Sequence, residues 1–255
     1  MKLMRISVIQ MEIEDGNKKE NIQKALSFIE TCKSDDFVVL PELWSTGMAL
    51  KDASTLAEPL TGYTISLLEE CATKCGMYII GSILEKDSSH IYNTLHVVGP
   101  EGLLGTYRKI HLFSLMKEDQ YIHPGTQYSI FPTPAITVSG IICYDIRFPE
   151  LSRALAIQGT QMLFVPAEFP RPREAHWKIL LRARAIENQF FVIACNRTGK
   201  SKKYDFFGNS AIIDPWGTVL MEATDRECVL RCECTLESIT TARETLPALK
   251  DIRLL

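Results

Sequence analysis

The stretch Ile141-Ile142-Cys143-Tyr144-Asp145-Ile146-Arg147-Phe148-Pro149-Glu150 decides how the rest of the chain is read. Ile136, Val138, Ile141 and Ile142 form an apolar, β-branched run, the pattern of a buried strand. The run ends at a cysteine. A charged turn follows, and a helix pattern opens at Pro149-Glu150, with Pro near the first helical position and Leu151, Ala154 and Leu155 at helical spacing. A strand, a cysteine, a tight turn and a helix together present one side chain at a sheet edge. The thiolate is the attacking species, so a reactive cysteine here needs a base or a positive neighbour. On this pattern alone, Cys143 reads equally well as one more small apolar core residue.

Upstream, residues 5–10 predict a strand. Asn17 stands three residues before Glu20, a capping-box-like pair, and Ile22, Ala25, Leu26 and Ile29 give residues 18–33 the pattern of an amphipathic helix. Phe37-Val38-Val39-Leu40 is a continuous apolar run, as in a strand covered on both faces. It runs into Pro41-Glu42-Leu43-Trp44, so Glu42 stands at the C-terminal end of a buried strand, where α/β proteins place their chemistry. Residues 61–75 predict a second helix, stopped by Gly76. Strands at 77–84, 91–98 and 103–107 follow, the last two joined by the turn Gly99-Pro100-Glu101-Gly102. Lys109 then sits in the apolar frame of Tyr107-Arg108-Lys109-Ile110-His111-Leu112-Phe113, and residues 114–125 predict a loop containing Glu118.

Downstream of the cysteine, helices are predicted at 150–158 and 175–189. Strands are predicted at 161–166, 190–194, 210–213 and 229–232, with Asp214-Pro215-Trp216-Gly217 as a tight turn between two of them. The order is strand, helix, strand, helix, three strands, twice over. Two similar halves predict an α/β protein in which two mixed sheets pack face to face with helices outside, a four-layer α-β-β-α sandwich. A doubly wound single sheet competes, but no glycine-rich phosphate loop supports it.

Composition narrows the function classes. The chain has 255 residues, with 46% hydrophobic and 23% charged, as in an ordinary soluble protein. That length can bury roughly 70–75% of the unfolded surface, and no linker divides it, so residues 1–255 are read as a single domain. A formal net charge of −3 gives no footprint for nucleic acid and no polybasic membrane anchor. The N-terminus runs straight into a strand pattern without a signal-peptide core, and no apolar stretch is long enough to span a bilayer, so the chain reads as cytoplasmic. Eight cysteines in such a chain read as free thiols. Neither Cys71/Cys75 nor Cys232/Cys234 has zinc-site spacing, and no metal or other cofactor is expected.

Pro41-Glu42-Leu43-Trp44, the segment 107–113 and the segment 142–150, in this order and at these separations, resemble the carbon–nitrogen hydrolases of the nitrilase superfamily. The resemblance continues through His176-Trp177, Leu181-Arg182-Ala183-Arg184-Ala185-Ile186-Glu187-Asn188-Gln189 and Asp214-Pro215-Trp216-Gly217, and so covers essentially the whole chain. It implies a Glu-Lys-Cys triad, here Glu42, Lys109 and Cys143, with Glu118 matching a second glutamate that orients the lysine or the substrate. The chemistry fits these residue types. A thiol that hydrolyses an amide needs a base for its proton, donors for the oxyanion and an acid for the leaving ammonia. Glu42 can be base and then acid, while Lys109 and the backbone N–H of Tyr144 can face the oxyanion. The intact triad argues against a non-catalytic scaffold of the same fold.

Within the superfamily the chain is similar to the ω-amidase-like branch, including bacterial members linked to methionine salvage. That branch hydrolyses the terminal amide of small oxo-acids such as 2-oxoglutaramate. The free carboxylate of such a substrate needs a cation. Arg147 is the candidate, because a guanidinium grips a carboxylate through two hydrogen bonds. The alternative for Arg147 is a salt bridge to Asp145 or Glu150. Phe169 and Trp44 are candidate pocket walls. Amidases acting on carbamoyl or simple aliphatic amides are the competing reading. The resemblance also implies a homodimer or larger homo-oligomer, built through the helix after the cysteine and the helix containing Trp177.

Overall fold

The computed structural model describes residues 3–254. The first half runs β1 (Leu3–Gln10), α1 (Lys18–Glu30), β2 (Phe37–Val39), α2 (Ala53–Leu56), α3 (Tyr63–Cys75), β3 (Tyr78–Asp87), β4 (His90–Gly99) and β5 (Gly102–Arg108). The second begins with β6 (Ile130–Pro132) and β7 (Thr137–Gly140), then α4 (Pro149–Ile157), β8 (Met162–Ala167), α5 (Glu174–Asn188) and β9 (Phe191–Asn196). The chain ends with β10 (Thr198–Lys200), β11 (Asp205–Phe207), β12 (Ala211–Ile213), β13 (Val219–Glu222), β14 (Cys228–Thr235) and α6 (Glu237–Thr245). The predicted helices and most predicted strands are present to within a few residues. Asn17 caps α1 by accepting from the Glu20 N–H at 3.4 Å. Gly76 ends α3 in the left-handed conformation, φ 69°, as its position after Cys75 requires.

Two six-stranded sheets form, in the orders β14-β1-β2-β3-β4-β5 and β13-β12-β9-β8-β7-β6. From β14 the neighbouring pairs are antiparallel, parallel, parallel, antiparallel, antiparallel. From β6 the second sheet repeats that sequence of pairings. β1, β2 and β3 therefore correspond to β7, β8 and β9. Both sheets are mixed.

Alternation along the strands assigns the layers. Ile6 and Val8 of β1 and Phe37 and Val39 of β2 belong to the core between the sheets, with Val138, Phe164 and Ile193 opposite. Ile9 and Val38 point the other way, onto Ile22, Ala25 and Ile29 of α1 and Ile65, Leu68 and Ala72 of α3. On the far side, Leu151 and Leu155 of α4 and Trp177, Leu181 and Ala185 of α5 cover the second sheet. This is the four-layer α-β-β-α sandwich. The sheets approach closely at Gly140, where an added Cβ would lie 2.2 Å from Leu95 Cδ1 of the opposite sheet. Among the described residues no helix is long and apolar enough to cross a membrane.

Two expectations need correction. The turn Asp214–Gly217 leads into β13, a short exposed edge strand that the sequence pattern did not single out. The strand predicted at 229–232 is not a third strand of the second half. As β14 it crosses to the other sheet and pairs with β1, Val8 opposite Leu230. Without it the buried strand β1 would leave a row of backbone groups unpaired, and a cross-molecule pairing of that kind leaves no local mark in the sequence.

Phe164 bridges the sheets, its ring centroid 5.5 Å from that of Phe37. Phe164→Ala is expected to lower stability by about 3–5 kcal/mol, measured by urea unfolding.

Candidate active site

Glu42, Lys109 and Cys143 converge at one end of the sandwich. Each follows a strand. Glu42 comes after β2 and Lys109 after β5, while Cys143 opens a short 3₁₀ turn, Cys143–Arg147, beyond β7. Cys143 has φ 45°. A non-glycine residue held at positive φ costs about 1–3 kcal/mol and persists only where its surroundings over-determine it. Asp145 supplies that restraint. Its buried carboxylate accepts from the Ile142 N–H at 2.9 Å, the Tyr107 hydroxyl at 2.8 Å, the His111 N–H at 3.0 Å and His111 Nδ1 at 2.7 Å. One side chain thus staples the cysteine turn to the segment that carries Lys109. His111 is fixed further by stacking on Phe148, centroids 3.6 Å apart.

The Lys109 ammonium is buried and donates to Glu42 Oε1 and Glu118 Oε1, each at 2.8 Å. Glu42 Oε1 also accepts from Asn93 Nδ2, and its Oε2 from the Glu168 backbone N–H, both at 2.8 Å. Glu118 Oε2 accepts from the Phe113 N–H at 2.8 Å. Burial opposes the charge on Lys109, but the two carboxylates outweigh it and hold its pKa well above the ordinary lysine value. Burial pushes Glu118 up against the pull of Lys109. Burial and then the Glu42 carboxylate push the Cys143 thiol well above its ordinary range, against Lys109. The resting sulfur is therefore a thiol, and its proton must leave as it attacks.

These groups open onto a cleft of about 300 Å³, solvent mouth included, lined by Glu42, Glu118, Cys143, Tyr144, Glu168 and Phe169. Phe113 stacks on Tyr144, centroids 4.6 Å apart. Two guanidiniums, Arg147 and Arg173, also line it. Arg147 lies over the rings of Phe169 (5.4 Å) and Tyr144 (5.7 Å), with both terminal nitrogens 3.3 Å from His176 Nδ1. It pairs with neither Asp145 nor Glu150. Arg173 lies over Phe113 at 5.3 Å.

A carbon–nitrogen hydrolase family model matches residues 5–244. The chain belongs to that family. This carbon–nitrogen hydrolase is 45% identical over 251 residues to a 2-oxoglutaramate amidase of Bacillus subtilis, covering 97% of each chain. It is 35% identical over 266 residues to the human omega-amidase NIT2, covering 99% of this chain and 96% of that one. Among solved structures it resembles XC1258 of Xanthomonas campestris, a CN-hydrolase superfamily protein with an arsenic adduct in its active site. There the TM-score is 0.94 at 28% identity, with 100% of this chain and 99% of that one covered. It also resembles Nit3 of Saccharomyces cerevisiae, a member of the nitrilase superfamily, with TM-score 0.92 at 27% identity over 99% and 97% of the two chains.

Of the pocket walls predicted for this hydrolase, Phe169 lines the cleft and Trp44 does not. Trp44 is buried under the helices of the first sheet, with Nε1 donating to His96 Nε2 at 3.2 Å. Leu43 has φ 43°, so the chain turns sharply after Glu42 and carries the indole away from the acid. Sequence reasoning missed Asn93, Arg173, Glu168 and Arg197, and read Asp145 only as a partner for Arg147. The rule that found Glu42, a polar residue ending a buried strand, also fits Glu168 after β8 and Arg197 after β9. Asn93 signalled itself as an amide inside the apolar strand β4.

Lys109→Met leaves Glu42 and Glu118 buried without their cation. Stability is expected to fall by about 3–5 kcal/mol at pH 8 in urea unfolding. Part should return as the pH is lowered and one carboxyl takes up a proton.

Proposed function

We propose that this carbon–nitrogen hydrolase is an ω-amidase that cleaves the terminal amide of a small carboxylate-bearing oxo-acid of the 2-oxoglutaramate type to the acid and ammonia. The observation that carries the reading is a buried acid–amine–acid cluster beside a thiol, in a cleft that also presents two arginines. Among the described residues neither Arg147 nor Arg173 has a carboxylate within ion-pair distance, whereas Arg171 next to them pairs with Glu174 at 2.7 Å. Two free guanidiniums suit a substrate anion. A carbamoyl or simple aliphatic amide without a carboxylate leaves them unused. The 2-oxoglutaramate amidase and omega-amidase relatives support the same choice.

In this reading Glu42 takes the thiol proton as Cys143 Sγ attacks the amide carbon. The Lys109 ammonium and the Tyr144 N–H stabilise the oxyanion. As the C–N bond breaks, Glu42 returns the proton to the departing nitrogen, which leaves as ammonia. Water then gives a proton to Glu42 and attacks the thioester. Collapse releases the acid, and the sulfur regains its proton from Glu42. Glu118 holds Lys109 in place and keeps it charged throughout. Arg147, backed by Arg173, receives the substrate carboxylate, and Phe169 walls the acyl chain.

The protein is read as a cytoplasmic homodimer. Ile157 on α4, Ile179 and Ile186 on α5 and Trp216 in the adjoining turn are exposed, at 45–66% of their full surface. Burying them between two copies would remove these apolar side chains from water. Sedimentation velocity is expected to show a dimer, and Ile179→Glu to shift it toward monomer.

Steady-state kinetics with 2-oxoglutaramate, N-carbamoyl amino acids and short uncharged amides test the substrate. The first is expected to have the highest kcat/KM, and no turnover of it would remove the reading. Cys143→Ala should abolish activity, and Arg147→Gln should lower kcat/KM on 2-oxoglutaramate roughly 10–100-fold, mainly through KM.

A further inference from the structure

Glu168 is buried, lines the cleft and has no part in the chemistry above. Its backbone N–H holds Glu42, but its side chain turns elsewhere. Oε2 accepts from Arg197 Nη1 at 2.9 Å, while Oε1 has no partner in the protein. Arg197 itself is shared, with Nη1 also 3.0 Å from Asp15 Oδ1 and Nη2 donating to the Ile13 carbonyl.

Counting donors around each buried acid singles out the one with an unfilled oxygen. Glu42 accepts three hydrogen bonds, spread over both oxygens, and Glu118 accepts one on each oxygen. Every oxygen of both has a donor. Three buried acids face two buried cations, Lys109 and Arg197, and Arg197 also serves the partly exposed Asp15. Glu168 Oε1 is the carboxyl oxygen of the three acids that no donor occupies. A buried carboxylate oxygen without a donor is costly, whereas a protonated one is a hydroxyl in need of an acceptor.

We infer that Glu168 acts as a neutral acid whose Oε1 hydroxyl donates to the 2-oxo oxygen of the substrate, selecting 2-oxo amides over their 2-amino counterparts. This rests on the ω-amidase reading. In such a substrate the amide oxygen goes to Lys109 and the Tyr144 N–H, and the carboxylate to Arg147 and Arg173. The ketone oxygen is the acceptor left over. An ammonium at the same carbon, as in glutamine, would set donor against donor. Burial is the main cause that raises the Glu168 carboxyl, to about 8, with Arg197 opposing and Asp15 and Glu42 adding to the rise. The charged groups facing it are Arg197 after β9, Asp15 after β1 and Glu42 after β2, with Lys109 beyond Glu42 and Arg147 and Arg173 lining the same cleft.

The test compares wild type, Glu168→Gln and Glu168→Ala on 2-oxoglutaramate, on glutaramate, which lacks the 2-oxo group, and on glutamine. Glu168→Ala is expected to lose about 10–100-fold in kcat/KM on 2-oxoglutaramate, and at least about fivefold less on glutaramate. Glu168→Gln keeps a donor and an acceptor for Arg197, and should lose much less than Glu168→Ala at pH 7. Wild type should lose kcat/KM on 2-oxoglutaramate as the pH rises through about 8, because the donor ionises. Glu168→Gln should not. The ratio of the two enzymes at each pH cancels any change in the substrate itself. Equal losses on both substrates in Glu168→Ala, or the same alkaline fall in Glu168→Gln as in wild type, would overturn the inference and leave the ω-amidase reading standing. If Glu168→Ala does not fold, the Glu168→Gln pH comparison decides. A wild type that hydrolyses glutaramate but not 2-oxoglutaramate defeats both.

Discussion

The Lys109 ammonium, 2.8 Å from Glu42 on one side and 2.8 Å from Glu118 on the other, is the interaction on which the site depends. Charges out of water are tolerable only when each is paired and every lone pair has a donor. That condition recruits much of the fold's C-terminal rim. Asn93 of β4, the Glu168 N–H beyond β8 and the Phe113 N–H in the loop after β5 each satisfy one oxygen. Asp145 then fixes where the cysteine turn sits relative to that rim, through Tyr107 and His111. The thiol is left beside a carboxylate that can accept its proton and a cation that can face developing negative charge.

The two sheets repeat one pattern of pairings, and the repeat has a chemical consequence. Glu42 follows β2 and Glu168 follows β8, the equivalent strand of the other sheet. The fold therefore delivers two glutamates past the ends of equivalent strands to the wall of one cleft. Their surroundings differ. Glu42 receives a lysine, an amide and a backbone N–H, while Glu168 receives one arginine shared with Asp15. Environment, not residue type, separates an acid whose oxygens all have donors from one whose carboxyl burial pushes toward the neutral form.

The elements were legible because their patterns are local. Period-2 and period-3.6 alternation, Pro149 opening α4 and Gly76 closing α3 all act within a few residues. Glu42, Lys109 and Cys143 were legible because each is a chemically conspicuous residue near the end of an apolar run, in an order that matches a known family. Trp44 misled because a large aromatic two residues from Glu42 can point either way, and only the turn at Leu43 sends it under the helices. For Arg147, sequence spacing offered a bridge to Asp145 or Glu150. The four hydrogen bonds to Asp145 and the aromatic faces of Tyr144 and Phe169 place the guanidinium in the cleft instead.

The amino-acid order by itself determined the main strands and helices, that two similar halves exist, and that an acid, an amine and a thiol, Glu42, Lys109 and Cys143, each stand near the end of an apolar run. Tertiary structure alone decided that β14 crosses to the first sheet, that Asp145 ties the cysteine turn to the lysine segment, and that Glu168 keeps an oxygen without a donor. The division has a physical basis. Strand and helix patterns are set by neighbours a few positions away, whereas strand partners, hydrogen-bond satisfaction and burial depend on groups that can lie more than two hundred residues distant, and no short window of sequence contains both members of such a pair.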